Sequence, residues 1–307
     1  MSACCAPGRP ESNDTRDEVH DTDNDAAPRP KIELISLAGG EFQMGTADKF
    51  GFPADGEGPV RDVTVDSFSI SATTVSNAQF SEFVTATGYQ TEAEHFGWTF
   101  VFHLFLPDDF PPTRAVAAAP WWRQVEGACW SNPFGPQSDL QGLYDHPVTH
   151  VSWNDAVAFC SWAEVRLPTE REWEFAARGG LDQQRYPWGD NFDPDGRTMC
   201  NIFEGTFPTE NTAADGFIGT APVKAFEQNG FGLHNVAGNV WEWCHDWFGT
   251  IPGSSPTGPD RGEAKVMRGG SYLCHDSYCN RYRVGARSSN TADSSTGNLG
   301  FRVAADG

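Results

Sequence analysis

Residues 32–46 alternate apolar and polar side chains around Gly39-Gly40, which predicts a strand and a turn. A stricter alternation runs through Val60-Arg-Asp-Val-Thr-Val-Asp-Ser-Phe-Ser-Ile70 and predicts a second strand. Three helices follow from start signals. Ser76 with Gln79 makes a capping box ahead of the apolar face Phe80, Phe83 and Val84, and Gly88 ends that helix. A second helix starts near Ser152, with Asp155 in its first turn, and continues through Ala156, Phe159, Cys160 and Ala163. A third opens with the box Thr169–Glu172, turns Trp173, Ala176 and Ala177 inward, and stops at Gly179-Gly180. Between these helices, residues 95–145 carry His95, Trp98, Phe102 and Pro120-Trp-Trp122 without a clear period. They predict a long, ordered surface excursion, of a length that usually carries function, or a satellite hydrophobic cluster. Beyond Gly180 the chain is mostly turns as far as Gly238.

Few strongly periodic segments, with much glycine and proline, predict an α+β class: a single compact domain, residues 31–307, with low regular secondary structure. Eleven tryptophans and 22 phenylalanines supply its core. Residues 1–30 hold Glu11, Asp14, Asp17, Glu18, Asp21, Asp23 and Asp25 against few apolar side chains, and predict a disordered acidic tail. The formal net charge of −21 argues against nucleic acid and anionic membranes. It favours a cationic peptide partner, or serves solubility alone. No apolar stretch suits a signal peptide or a membrane span, so the expected location is cytoplasmic and the expected state monomeric. In that compartment most of the eight cysteines are expected as free thiols. Cys129, Cys160, Cys200 and Cys244 read as small buried hydrophobes.

Cys274 and Cys279 differ in setting. They stand in Arg268-Gly-Gly-Ser-Tyr-Leu-Cys-His-Asp-Ser-Tyr-Cys-Asn-Arg-Tyr-Arg283, a segment suited to a shaped loop rather than a core strand. Two readings stand at this point, a disulfide across a tight loop and a metal or catalytic pair. Two thiolates cannot complete a tetrahedral zinc site, but they suit a two-coordinate soft ion such as Cu(I) and leave room for a third ligand. His275 adjoins the pair, yet neighbouring side chains diverge, so it is not expected to bind the metal.

From Arg268 to Asp306 the chain closely resembles the formylglycine-generating enzymes, the sulfatase-modifying oxidases. The matching words are Arg-Gly-Gly-Ser-Tyr (268–272), Cys-His-Asp-Ser-Tyr-Cys (274–279), Arg-Tyr-Arg (281–283), Ala-Arg-Ser-Ser-Asn-Thr (286–291), Asp-Ser-Ser (293–295) and Asn-Leu-Gly-Phe-Arg (298–302). Asn235-Val-Ala-Gly-Asn-Val-Trp-Glu-Trp243 and Leu37-Ala-Gly-Gly-Glu-Phe-Gln-Met-Gly45 extend the likeness over nearly all the chain beyond residue 30. The resemblance implies a fold related to C-type lectins. It implies a copper-dependent oxidase in which Cys274 and Cys279 hold Cu(I), and the cysteine of a Cys-x-Pro-x-Arg segment in a type I sulfatase is converted to Cα-formylglycine by O2. It implies a hydrogen-bonding role for Ser271 near the substrate thiol, against a plain turn serine, and a wall of the oxygen pocket for Tyr278. Asn298 and Arg287 match positions near the substrate groove, although Arg287 equally suits a buried ion pair. Trp121, Trp122 and Trp241 are candidate pocket walls or plain core. Two structural Ca2+ sites are implied, at Asn201, Ile202, Asp215 and Phe217, and at Asn235, Val236, Gly238 and Val240. Asx residues beside glycine otherwise read as turns. Ala177, Val284 and Val303 stand where relatives in oxidising compartments carry further cysteines. The same fold also houses non-catalytic binding modules, the alternative function.

The tail adds one feature. Cys5-Ala6-Pro7-Gly8-Arg9 is itself a Cys-x-Pro-x-Arg, so Cys5 is a candidate substrate or pseudosubstrate of this same chain, or else, with Cys4, an incidental or metal-delivering thiol pair.

Overall fold

The computed structural model describes residues 6–9, 30–249 and 258–307. Glycine splits the first alternating segment into β1 (Leu34–Leu37) and β2 (Gly40–Met44). Gly39 has φ +71°, and a Cβ there would lie 2.2 Å from the Val65 carbonyl oxygen, so only glycine fits. The second segment likewise divides, into β3 (Arg61–Val65) and β4 (Phe68–Ser71). β2 pairs antiparallel with β3, whereas β1 pairs with β4.

Both expected capping boxes form, and the helix expected near Ser152 starts with a third, Ser152–Asp155. Ser76 and Gln79 start α1 (Asn77–Thr87), and Gly88 closes it in the left-handed region. A fourth box, Thr91–Glu94, starts the short α2 (Glu92–Phe96). Here the structure departs from the expected excursion. β5 (Trp98–Phe102), β6 (Ala115–Val116) and β7 (Ala119–Glu126) form an antiparallel sheet in the order β5-β7-β6. β5 was invisible to an alternation test because four of its five residues are buried, on both faces. Ser152–Asp155 and Thr169–Glu172 cap α3 (Trp153–Ala163) and α4 (Glu170–Arg178).

After the small ribbon β8 (Gly205–Thr206) and β9 (Glu210–Asn211) comes the sheet that positions the cysteines. It comprises β10 (Trp241–Trp247), β11 (Lys265–Arg268), β12 (Arg287–Asn290) and β13 (Leu299–Gly300), in the order β12-β11-β10-β13. β14 (Ala304–Asp306) returns to β4. Phe80, Phe83, Phe159, Trp241, Trp243 and Phe301 form the main core, and Cys274 and Cys279 belong to the same cluster. Among the described residues no helix is long and apolar enough to cross a membrane.

Candidate active site

The cysteines lie in the loop 269–286, between β11 and β12. Arg268 and Arg287 are cross-strand partners at the mouth of this loop, and both reach one carboxylate, Glu170 at the start of α4. Glu170 Oε1 accepts from Arg268 Nη1 (2.9 Å) and Arg287 Nε (2.8 Å), and Oε2 accepts from Arg287 Nη2 (2.7 Å). Arg268 also donates to Glu174 Oε2 and to the Val284 carbonyl inside the loop. Farther along, Arg283 forks onto Glu57 at 2.7 and 2.8 Å, and Arg281 Nε pairs with Asp55 at 2.6 Å. Gly270, with φ +74°, passes so close to Arg281 and Tyr282 that a Cβ would meet backbone at 2.9 Å. These buried, charge-assisted contacts fix an otherwise irregular segment.

Within the loop, Cys274 N donates to the Ser271 carbonyl at 2.9 Å, and Cys279 N donates to the His275 carbonyl at 2.7 Å. The two tight turns bring Cys274 Sγ and Cys279 Sγ to 3.3 Å, each residue 1 % exposed. A disulfide needs about 2.05 Å, so the sulfurs are not joined. Burial pushes the Cys274 thiol well above its ordinary range, and the neighbouring Cys279 adds to the rise. Arg281 acts the other way: its Nη1 lies 3.6 Å from Cys279 Sγ. Two soft sulfurs at this separation suit a soft monovalent cation and are too few for a closed tetrahedral site.

Around the pair, Asn298 Nδ2 donates to Ser271 Oγ at 2.9 Å, and Asn298 Oδ1 accepts from Thr296 Oγ1 at 2.7 Å. Ser271 Oγ also accepts from Leu273 N at 3.3 Å, so it serves the turn as well. Tyr278 stacks on Phe207 (centroids 4.5 Å, 13°) and stands edge-on to Trp121 (5.0 Å). Trp122 shares a buried cluster with Tyr272 and Leu273 of the loop, and Trp241 lies in the main core. Arg287 forms the buried ion pair: besides Glu170 it donates to the Asp55 and Gly249 carbonyls. His275 Nδ1 engages Ser277 Oγ at 2.7 Å. Arg281 carried no expected role, although it sits in a matched word of the sequence.

Hydrogen bonds tie parts of the two expected oxygen sets together. Asp215 accepts from the Ile202 and Phe217 amides at 3.2 and 3.0 Å, and burial raises its carboxyl to about 6. An isolated bridge joins Asn201 to Gly238. Asn201 Nδ2 donates to the Gly219 carbonyl and Asn235 Nδ2 to the Pro222 carbonyl, while Asn201 Oδ1 and Asn235 Oδ1 are buried without a hydrogen-bond partner. Two orphaned amide oxygens, one in each expected calcium set, fit hard-cation ligands. Among the described residues no three His, Cys, Asp or Glu side chains cluster for a metal, so beyond the Asp215 carboxylate any calcium set here relies on amides and carbonyls.

A mixed scaffold of small sheets and a few short helices, with a buried thiol pair in a salt-bridged loop, defines a cysteine-centred site. The model of the sulfatase-modifying factor enzyme 1-like domain matches residues 20–307. The formylglycine-generating enzyme of Streptomyces coelicolor is 58 % identical over 92 % of this chain and 91 % of its own length. That of Thermomonospora curvata is 56 % identical over 89 % and 93 %. Among solved structures, PvdO from Pseudomonas aeruginosa aligns with a TM-score of 0.63 at 24 % identity, over 89 % of this chain and 94 % of that one, a likeness of fold. The chain belongs to the formylglycine-generating, or sulfatase-modifying factor, family.

Proposed function

We propose that this chain is a copper-dependent oxidase that converts the cysteine of a Cys-x-Pro-x-Arg segment in type I sulfatases to Cα-formylglycine with O2. The observation that carries the reading is the buried, unjoined Cys274–Cys279 pair with its sulfurs 3.3 Å apart. The names of the bacterial relatives at 56 % and 58 % identity support the same activity. Cys274 and Cys279 would hold Cu(I), which when bound supplies an electron-rich centre for reaction with O2, with the substrate thiolate as a further ligand.

The remaining work falls to this chain's own side chains. Asn298 fixes the hydroxyl of Ser271, whose own backbone amide donates to Cys274 Sγ at 3.4 Å, and in this reading that hydroxyl takes up or returns a proton at the substrate sulfur. Tyr278, Phe207 and Trp121 form an aromatic wall that keeps water from the sulfurs. Arg281 sets positive charge against Cys279, a group that must lose its proton to bind metal. We assign Ca2+ to the two oxygen clusters, as structural ions. The test is turnover of a Leu-Cys-x-Pro-x-Arg peptide by copper-loaded protein under O2, read as a loss of about 18 Da at the cysteine. Cys274→Ser and Cys279→Ser should each abolish it. Binding without conversion by the unaltered chain would return it to the non-catalytic modules of this fold.

A further inference from the structure

Of the acidic segment 1–30, the structure describes residues 6–9 and 30, and residues 6–9 are not a solvated tail. Ala6, Pro7 and Arg9 are buried against the domain. A segment too polar to fold alone gains its burial from a surface made for it. Asn290 Nδ2 donates to the Ala6 and Pro7 carbonyls, each at 3.2 Å. Arg9 N donates to Ser294 Oγ at 2.9 Å. Gly8 passes so near Asn290 that a Cβ would lie 2.9 Å from Oδ1. These main-chain contacts would hold any extended peptide.

The Arg9 side chain is read individually. Its guanidinium carbon lies 4.2 Å from the Phe96 ring centroid and 4.3 Å from that of Trp98. The two rings come from either side of the α2–β5 corner, where Gly97 turns the chain at φ +77°. Nη2 donates to the Trp98 carbonyl at 2.8 Å and to Ser295 Oγ at 3.1 Å. Burial lowers the Arg9 guanidinium to about 10, and the charges of Asp293, Glu92 and Asp155 oppose that fall without offsetting it. Two aromatic faces and two oxygen acceptors together form a site for a buried arginine. Ala6, at the other end, joins the same hydrophobic cluster as Cys274 and Cys279. Cys5 lies outside the described residues, but it is the residue bonded to Ala6, and the segment ends in the arginine site.

We infer that residues 5–9 are a built-in competitor: the chain seats its own Cys-x-Pro-x-Arg in the groove that a target segment of that pattern must enter. This rests on the proposed peptide substrate. The matching pattern and the specific seat for Arg9 are independent observations, one from sequence and one from contacts. A tethered ligand acts at an effective concentration on the order of mM, so even weak seating raises the apparent KM for added peptide by roughly two- to tenfold.

The test uses the full chain and its Arg9→Ala and Arg9→Lys variants. With a Leu-Cys-x-Pro-x-Arg peptide, Arg9→Ala should lower KM two- to tenfold with kcat unchanged, and Arg9→Lys should fall between. Anisotropy of a labelled, cysteine-to-serine version of that peptide reads binding without turnover, and should show the same tightening. A free Cys-Ala-Pro-Gly-Arg peptide should then compete against Arg9→Ala, and Cys-Ala-Pro-Gly-Ala should not. Unchanged or weaker peptide binding in Arg9→Ala overturns the competitor. Loss of turnover in every form, with peptide binding still tightened, overturns the oxidase reading and leaves the competitor standing.

Discussion

Replacing Glu170 by glutamine strikes the stem of the cysteine loop while leaving its volume nearly unchanged. The residue is 2 % exposed and accepts three hydrogen bonds from two arginines that are each 1 % exposed. Glutamine turns one acceptor into an NH2 group facing guanidinium and removes the charge both arginines share. Only Glu174 then remains to balance Arg268, and it already pairs with Arg178 at 2.6 Å. Removing one member of a buried ion cluster costs about 3–5 kcal/mol, because the stranded charges stay buried. Unfolding entropy for a domain of this length is about 0.6 kcal/mol/K, so Tm should drop by roughly 5–8 °C. The exposed pair Arg197–Glu227 is the internal comparison, and Glu227→Gln should cost less than about 1 kcal/mol. Because Arg268 and Arg287 bracket residues 269–286, the loop should loosen before the domain melts. Alkylation resolved by peptide mass spectrometry should therefore accelerate at Cys274 and Cys279, relative to Cys160 on α3. A Glu170→Gln protein within about 1 kcal/mol of the parent, with unchanged relative labelling, would refute the idea that this carboxylate holds the loop.

The same cluster predicts an acid limit. Burial pushes Glu170 and Glu174 up, but the charges of Arg287 and Arg268 on the one, and Arg178 and Arg268 on the other, more than offset it, so both lie below 4.5. Their contribution is complete above 4.5 and lost as pH falls through the lower folded values, so Tm should hold from pH 7 to about 5 and then decline, less steeply in Glu170→Gln. Asn298→Ala frees the Ser271 hydroxyl and should lower kcat about tenfold to a hundredfold with little change in peptide binding, measured by steady-state turnover. Calcium at a hundredfold above its Kd should stabilise the chelator-treated protein by about 2.7 kcal/mol in thermal melts, and Asn201→Ala should blunt the response. A melt indifferent to millimolar calcium would remove the cation from both oxygen clusters.

What could be read from the sequence is what short-range chemistry decides. A serine or threonine three residues before Gln79, Asp155 or Glu172 satisfies its own helix start, so those starts were legible without knowing the fold. The sulfur pair was equally local, five residues apart and closed by turns within its own loop. Long-range pairing was not legible. The Glu170 contacts span 98 residues to Arg268 and 117 to Arg287, and nothing in an arginine's identity says whether it faces a peptide or a carboxylate. The β5-β7-β6 sheet hid for a different reason, since β5 is covered on both faces and loses the alternation that marks a strand.

The tail combines both cases. Its pattern was legible because it repeats the expected target motif, but its seat was not, because Arg9 meets Trp98 across 89 residues and Ser295 across 286. Composition assigned residues 1–30 to solvent, and composition measures only whether a segment can bury its own surface. It does not weigh a groove elsewhere in the chain whose contacts suit an extended backbone and one arginine. Asn290, Ser294 and Ser295 stand within matched words of the sequence, yet none had an assigned role, because hydroxyls and amides acquire one only when a partner is in place. A site that reads the proposed Cys-x-Pro-x-Arg pattern, with its variable positions, has to be built from main-chain contacts and one or two side-chain seats. Such a site cannot discriminate against a copy of the pattern in its own chain, except through the geometry of the tether.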